Sequence, residues 1–331
     1  VKHFAFSRYG FANRHNRVIY KPEKRNIAKG GAVLPRIGLA LGGGGARGAA
    51  HFGVLKVLEE ERIPIDVIAG TSMGAIVGGM YAQHPDISAV IDRFENFIRN
   101  MDYESFGLKY IATDAGQEPH LLQKFAKTIA QRIYISSMGS RSGIMKPEFL
   151  DNALRELLDR GNIQDAKIPF GAVATDLNSG SALLIREGSI RRAVRRSSLI
   201  PGYLPPEEDN GRLITDGGVI EPVPVDSAKE MGAEVIIAVS VDPSAMPRIE
   251  DPNMINIMRR CDLIRGIYIS RIQTEKADVC ICPDMSDTHW SEFLSSREFM
   301  RIGEEEARKR LPEIRKATRR RRNWLFRLLS S

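Results

Sequence analysis

Gly70-Thr71-Ser72-Met73-Gly74 sets a serine in a G-x-S-x-G turn. A serine hydroxyl is a weak nucleophile until it is held exposed with a base in hydrogen-bond reach. Gly70 and Gly74 provide the exposure, because they remove side chains where a strand bends sharply into a helix. The helix that follows aims its N-terminus at Ser72 and favours negative charge there. Upstream, directly after an apolar run, lies Gly42-Gly43-Gly44-Gly45-Ala46-Arg47-Gly48. The backbone N–H groups of Gly43, Gly44 and Gly45 carry no obstructing Cβ and could face the oxyanion of a tetrahedral intermediate. Gly43-x-Gly45-x-x-Gly48 also matches a dinucleotide fingerprint. That fingerprint needs an acid near the end of the second strand. Here the strand ends in Gly70-Thr71-Ser72, and the nearby acid, Asp66, lies at its start. Acyl transfer is the chemistry these residues suit.

Candidate bases include the histidines His3, His15, His51, His84, His120 and His289. A Ser–Asp–His triad in hydrolase chain order would select Ser72, Asp216 and His289. His289 sits in the polar stretch Ser286-Asp287-Thr288-His289-Trp290, and His51 sits in the first helix, where it packs or hydrogen-bonds locally. Asp216 follows a short strand and is trailed by Gly217 and Gly218, which would leave its carboxylate at the sheet edge beside the serine. A lone aspartate can take the serine proton when it is close and desolvated, since burial lifts its pKa. Asp-Gly-Gly suits a plain tight turn equally well.

Several elements must hold these groups. Arg36-Ile37-Gly38-Leu39-Ala40-Leu41 reads as a buried strand before the glycine loop. Ala50, Val54, Val57 and Leu58 follow at helical spacing. Asp66 to Gly70 is the second strand, and the helix beyond it is rich in small residues (Gly74, Ala75, Gly78, Gly79) that let it lie close to a sheet. Residues 86–165 read as a helical insertion, with one stripe at Ile87, Val90, Ile91, Phe94 and Ile98 and another at Leu122, Phe125, Ile129 and Ile133. The insertion could cap the serine or simply pack on one sheet face. Strands return at 168–175, 181–185, 212–215, 234–239 and 277–281. Helices between most of them predict an α/β fold with a mostly parallel sheet and helices on both faces.

The 331 residues suffice for one large α/β domain or two small ones, with 43% hydrophobic residues for a core. The net charge of +7 is unevenly placed. Residues 1–36 hold nine Lys/Arg against one acid, and residues 308–331 hold ten against one. Such ends suit an anionic partner. No recognition motif accompanies them, so nucleic acid is not expected. Arg319 to Arg322 run into Trp324, Leu325, Phe326, Leu328 and Leu329, which suits an anionic membrane surface. A frayed helix end, or one docked on its own domain, is the alternative. Cys261, Cys280 and Cys282 give no disulfide framework, and Cys280-x-Cys282 lacks a second ligand pair for a metal. Reduced cysteines, no apolar leader and no spanning apolar run predict a cytoplasmic protein, peripheral at the inner face of the membrane.

The motifs in combination resemble the patatin-like phospholipases. GGGGARG, GTSMG and DGG stand in the family's order, and AAHFGVLKVLEE, VATDLNSG and SSLIPGYLPP resemble its lesser segments. Gly42 at the head of the first motif is closer to bacterial members. The resemblance covers residues 36–285. It implies a three-layer α/β/α sandwich and a Ser72–Asp216 dyad, with Ser72 as nucleophile and Asp216 as general base. It implies an oxyanion hole from Gly43, Gly44 and Gly45, and Arg47 and Gly48 beside that loop in support, with Gly70, Gly74, Gly217 and Gly218 shaping the turns; a salt bridge that fixes the loop is the other reading of Arg47. It implies no metal or other cofactor, and fatty-acyl ester or phospholipid substrates. The expected organisation is a basic extension at 1–35, the catalytic domain at 36–285 and a basic helical extension at 286–331. A regulatory or scaffolding member, acting through partners, is the other expectation.

Overall fold

The computed structural model describes residues 35–101, 143, 145–246, 248–249, 251–286 and 288–329. Five short strands form its parallel centre: β1 (Ile37–Leu41), β2 (Val67–Thr71), β3 (Phe170–Asp176), β7 (Val235–Val239) and β8 (Val279–Ile281). All residues of β1, β2, β3 and β7 are buried, as both faces of a helix-covered parallel sheet require. β4 (Ser181–Ile185) and β6 (Arg212–Asp216) run antiparallel to β3, and β5 (Glu207–Asp209) runs antiparallel to β6. The order is β5-β6-β3-β2-β1-β7-β8, with β4 paired to β3.

The pleat sends alternate residues to two cores. Ile37, Leu39 and Leu41 join Ile68 and Val235 in the larger one, whereas Ala40, Val67 and Ala69 join Ile236 in the smaller. The larger core is covered by α1 (Ala50–Glu60), α2 (Met73–Gln83), α3 (Ile87–Asn100), α4 (Pro147–Leu157) and α5 (Ile190–Ser197). The smaller is covered by α6 (Val225–Glu230). α7 (Met254–Thr274) and α8 (Ser296–Leu329) complete the described helices. The fold is the α/β/α sandwich with a mostly parallel sheet.

Parts of the predicted insertion belong to the core. Ile87, Val90, Phe94 and Ile98 bury one face of α3, and Leu150, Leu154 and Leu157 bury one face of α4. The stripe from Leu122 to Ile133 lies outside the described residues, as do residues 1–34. The boundary drawn at 285 needs correction. Phe299, Met300, Ala307 and Ile314 of α8 are buried in the larger core against α1. The two helices approach closely at Gly53 and Gly303, where a Cβ would overlap the Met300 and Ala50 carbonyls. At least to Ile314, α8 is therefore part of the domain.

Candidate active site

Register brings the serine and the aspartate together. β2 pairs with β3 as far as Thr71 opposite Val173, and β6 takes over with Asp216 opposite Ala174. β4 occupies the other edge of β3 along this stretch, so β2 and β6 must share one edge. Asp216 thus takes the place that the residue after Thr71 would fill, and that residue is Ser72.

Ser72 turns out of the sheet at φ 53° and ψ −121°, a conformation that costs a non-glycine residue energy. Neighbouring groups hold it there. Its N–H donates to Ser197 Oγ at 2.9 Å, and that hydroxyl donates to the Val173 carbonyl at 2.5 Å. Its carbonyl accepts from Ala75 and Ile76, which starts α2. Thr71 Oγ1 donates to the Glu221 carbonyl at 2.8 Å. Gly74 is required by contact, since a Cβ there would overlap the Leu41 carbonyl at the end of β1. Gly70 lies inside β2, against the first turn of α2. Ser72 is 8% exposed, more enclosed than an open turn would leave it.

Asp216 ends β6 and caps the short turn Gly217–Val219, its Oδ1 accepting from the Gly218 N–H at 2.7 Å. Asp216 therefore makes the tight turn and, by register, stands beside Ser72. Gly217 fits against the Val173 carbonyl. Burial pushes the Asp216 pKa up to about 6, with the Gly218 N–H and the Ser72 hydroxyl pulling against it. Its Oδ2 is buried and completes no hydrogen bond of regular geometry.

The glycine loop crosses beside Ser72: a Cβ on Gly43 would stand 3.3 Å from Ser72 Cβ. Its peptide groups differ. The Gly42–Gly43 unit is clamped at both ends, the Gly42 carbonyl to His51 Nε2 at 2.8 Å and the Gly43 N–H to the Pro222 carbonyl at 2.9 Å. Gly43 is thus already committed as a donor, contrary to the expectation that all three glycine amides stand ready. Among the described residues no acceptor engages the N–H of Gly44 or Gly45. Arg47 Nε donates to the Gly44 carbonyl at 3.3 Å. A trans peptide points its N–H opposite to its carbonyl, so this bond turns the Gly45 N–H away from Arg47. Arg47 is buried, which lowers its pKa, while Asp242 acts in the other direction. Gly48 lies in the following 3-10 turn, Gly45–Ala49, against Met73.

The histidines take other parts. His51 is fully buried, and burial pushes its pKa down to about 4 despite the Gly42 carbonyl. Neutral at pH 7, with Nδ1 unpartnered, it donates through Nε2 and positions the loop. His289 Nδ1 bonds Ser291 Oγ at 2.7 Å. Its neighbour Trp290 braces the loop, its carbonyl accepting from the Ala46 N–H at 2.7 Å. Ser197 was not singled out from the sequence, although it opens the SSLIPGYLPP segment. Its role depends on a contact with a residue 125 positions away, which no local pattern signals. Among the described residues no cluster of three or more His, Cys, Asp or Glu is arranged to hold a metal ion.

Comparison with known proteins agrees with the motifs. An uncharacterised NTE-family protein of Mycobacterium tuberculosis is 35% identical over 229 residues, which cover 68% of this chain and 54% of that protein. Mouse patatin-like phospholipase domain-containing protein 6 is 33% identical over 207 residues, 62% of this chain and 13% of that protein. The chain therefore spans about half the length of the mycobacterial relative, and far less of the mouse one. Among solved structures, VipD from Legionella pneumophila aligns over 89% of this chain and 70% of its own, with a TM-score of 0.45 and 12% identity. The patatin-like phospholipase family model matches residues 39–229, more than half of the sequence, and the chain belongs to that family.

Proposed function

We propose that the chain is a serine acyl hydrolase acting on fatty-acyl esters, phospholipids among them. Ser72 Oγ attacks the ester carbonyl while Asp216 takes its proton. The oxyanion is held by the N–H groups of Gly44 and Gly45, and Gly43 could join only by releasing Pro222. Collapse of the intermediate breaks the ester bond, and the alcohol leaves with the proton from Asp216. Water then attacks the acyl-enzyme, giving a proton to Asp216, and as the acyl–Oγ bond breaks Asp216 returns that proton to Ser72 Oγ and the fatty acid is freed. A carboxylate is an adequate base here because burial raises its pKa toward the working pH.

One observation carries this reading: a serine held at φ 53° stands beside a buried carboxylate whose second oxygen has no hydrogen-bond partner. A fluorophosphonate probe should label Ser72 and nothing else. Ser72→Ala and Asp216→Asn should each lower phospholipid or ester hydrolysis about a thousandfold or more and leave the circular dichroism unchanged. Full activity in Asp216→Asn would remove the dyad. A folded wild-type protein that ignores the probe would favour the regulatory alternative.

A further inference from the structure

Every large apolar side chain exposed among the described residues lies either on α7 or in a segment that follows β3, β6, β7 or β8. Leu177 follows β3, Val219 and Ile220 follow Asp216, Met246 follows β7 and Leu294 follows β8. These are the segments that leave the site edge of the sheet. The rest lie on α7, whose start also belongs to that edge. Met254, Ile257, Met258, Ile264, Tyr268 and Ile272 are between 43% and 69% exposed. At 100° per residue they fall within an arc of about 120°, a single apolar stripe. Among the described side chains of the helix, none before Ser270 is buried. Arg259, Arg260, Arg265 and Arg271 accompany the stripe, against Asp262 as the sole acid.

The helix is tied to the site at both ends. Arg259 donates to the Tyr203 hydroxyl at 2.6 Å, Tyr203 packs edge-on against Trp290 at 5.0 Å, and Trp290 braces the glycine loop. At the other end the Gln273 side chain donates to the Ile220 carbonyl at 3.1 Å and accepts from the Val223 N–H at 3.0 Å. Ile220 and Val223 follow the Asp216 turn. No helix among the described residues is long and apolar enough to cross a membrane. An apolar arc with a basic complement suits a helix lying in a lipid interface.

We propose that the exposed face of α7 docks the protein on an anionic phospholipid surface, setting the site edge of the sheet against the bilayer. The proposal rests on the acyl-hydrolase reading for its purpose but not for its test. The full chain should sediment with vesicles of equimolar phosphatidylglycerol and phosphatidylcholine, less so at high salt. Ile257→Glu, Met258→Glu and Tyr268→Glu together should lower that partition on the order of tenfold or more. Hydrolysis of vesicle phospholipid should fall in step, while hydrolysis of a dissolved short-chain ester is unchanged. Arg265→Glu with Arg271→Glu, which leaves the apolar side chains intact, should weaken binding to anionic vesicles alone. Wild-type protein that ignores vesicles yet cleaves the dissolved ester would overturn the docking and leave the hydrolase standing. Vesicle binding lost in the variants, with no ester cleaved by any form, would do the reverse. Binding that survives the α7 substitutions but is lost on deleting 318–331 would move the contact to the basic tail. A solution mass that halves on substitution would make the stripe a seam between copies.

Discussion

The Asp216 carboxyl is caught between two opposing influences. Burial favours its neutral form, and the Gly218 N–H and Ser72 hydroxyl favour the charged one; burial wins and the pKa settles near 6. At pH 7 the group is mostly ionised but still basic enough to hold a serine proton. On the proposed mechanism only the ionised form is active. The kcat/KM for a dissolved ester should therefore climb about tenfold per pH unit below 6 and level off above it. His51 titrates near 4, so it does not reproduce that inflection. A profile flat between pH 5 and 7, measured on protein shown to be folded throughout, would take Asp216 out of the proton transfer.

Among the elements, α8 shows best what a sequence hides. Its apolar contacts are sparse, with Phe299 and Met300, then Ala307, then Ile314. Arginines and glutamates fill the positions between and pair at the surface, as Arg308 does with Glu60 and Glu304. Such a pattern reads as a solvated extension, yet Phe299 is 1% exposed. Phe299→Ala should cost about 3–5 kcal/mol of stability in a urea melt; a loss no larger than a surface substitution gives would mean that the helix is dispensable to the core. The central strands were legible because both their faces are buried, which leaves continuous apolar runs such as IGLAL and VIIAV. The glycine turns were legible because close contacts demand glycine, as at Gly74 under the Leu41 carbonyl. The pairing of Ser72 with Asp216 was suggested by motifs, but its physical basis is the handover from β2 to β6 along β3, a register no local pattern contains. The use of the Gly43 amide by Pro222 and the support from Ser197 are likewise contacts between distant segments. The exposed stripe of α7 went unread because an apolar helix of that length ordinarily faces a core.

Across the whole molecule two buried groups beside the same loop shift in ways that oppose each other. The Asp216 pKa is raised from 3.8 to about 6, so folding binds an extra proton in that window. Its stabilising effect is complete below 3.8 and is lost as pH rises through 6. The His51 pKa is lowered from 6.5 to about 4, so its effect is complete above 6.5 and lost as pH falls through 4. Each shift corresponds to about 3 kcal/mol, and between pH 4 and 6 the two slopes nearly cancel. Asp216→Asn separates them. At pH 7 the wild type holds a desolvated charge that the variant lacks, so the variant should be more stable by up to about 3 kcal/mol. As pH falls toward 4 the wild-type carboxyl takes up its proton, and the difference between the two proteins should shrink toward zero. Acid effects on all other groups, His51 included, act on both proteins and drop out of the difference. Urea melts of the pair at several pH values measure it directly. A gap that stays constant with pH would mean that Asp216 is not held near neutrality by burial, and the proton-transfer proposal would lose its electrostatic basis.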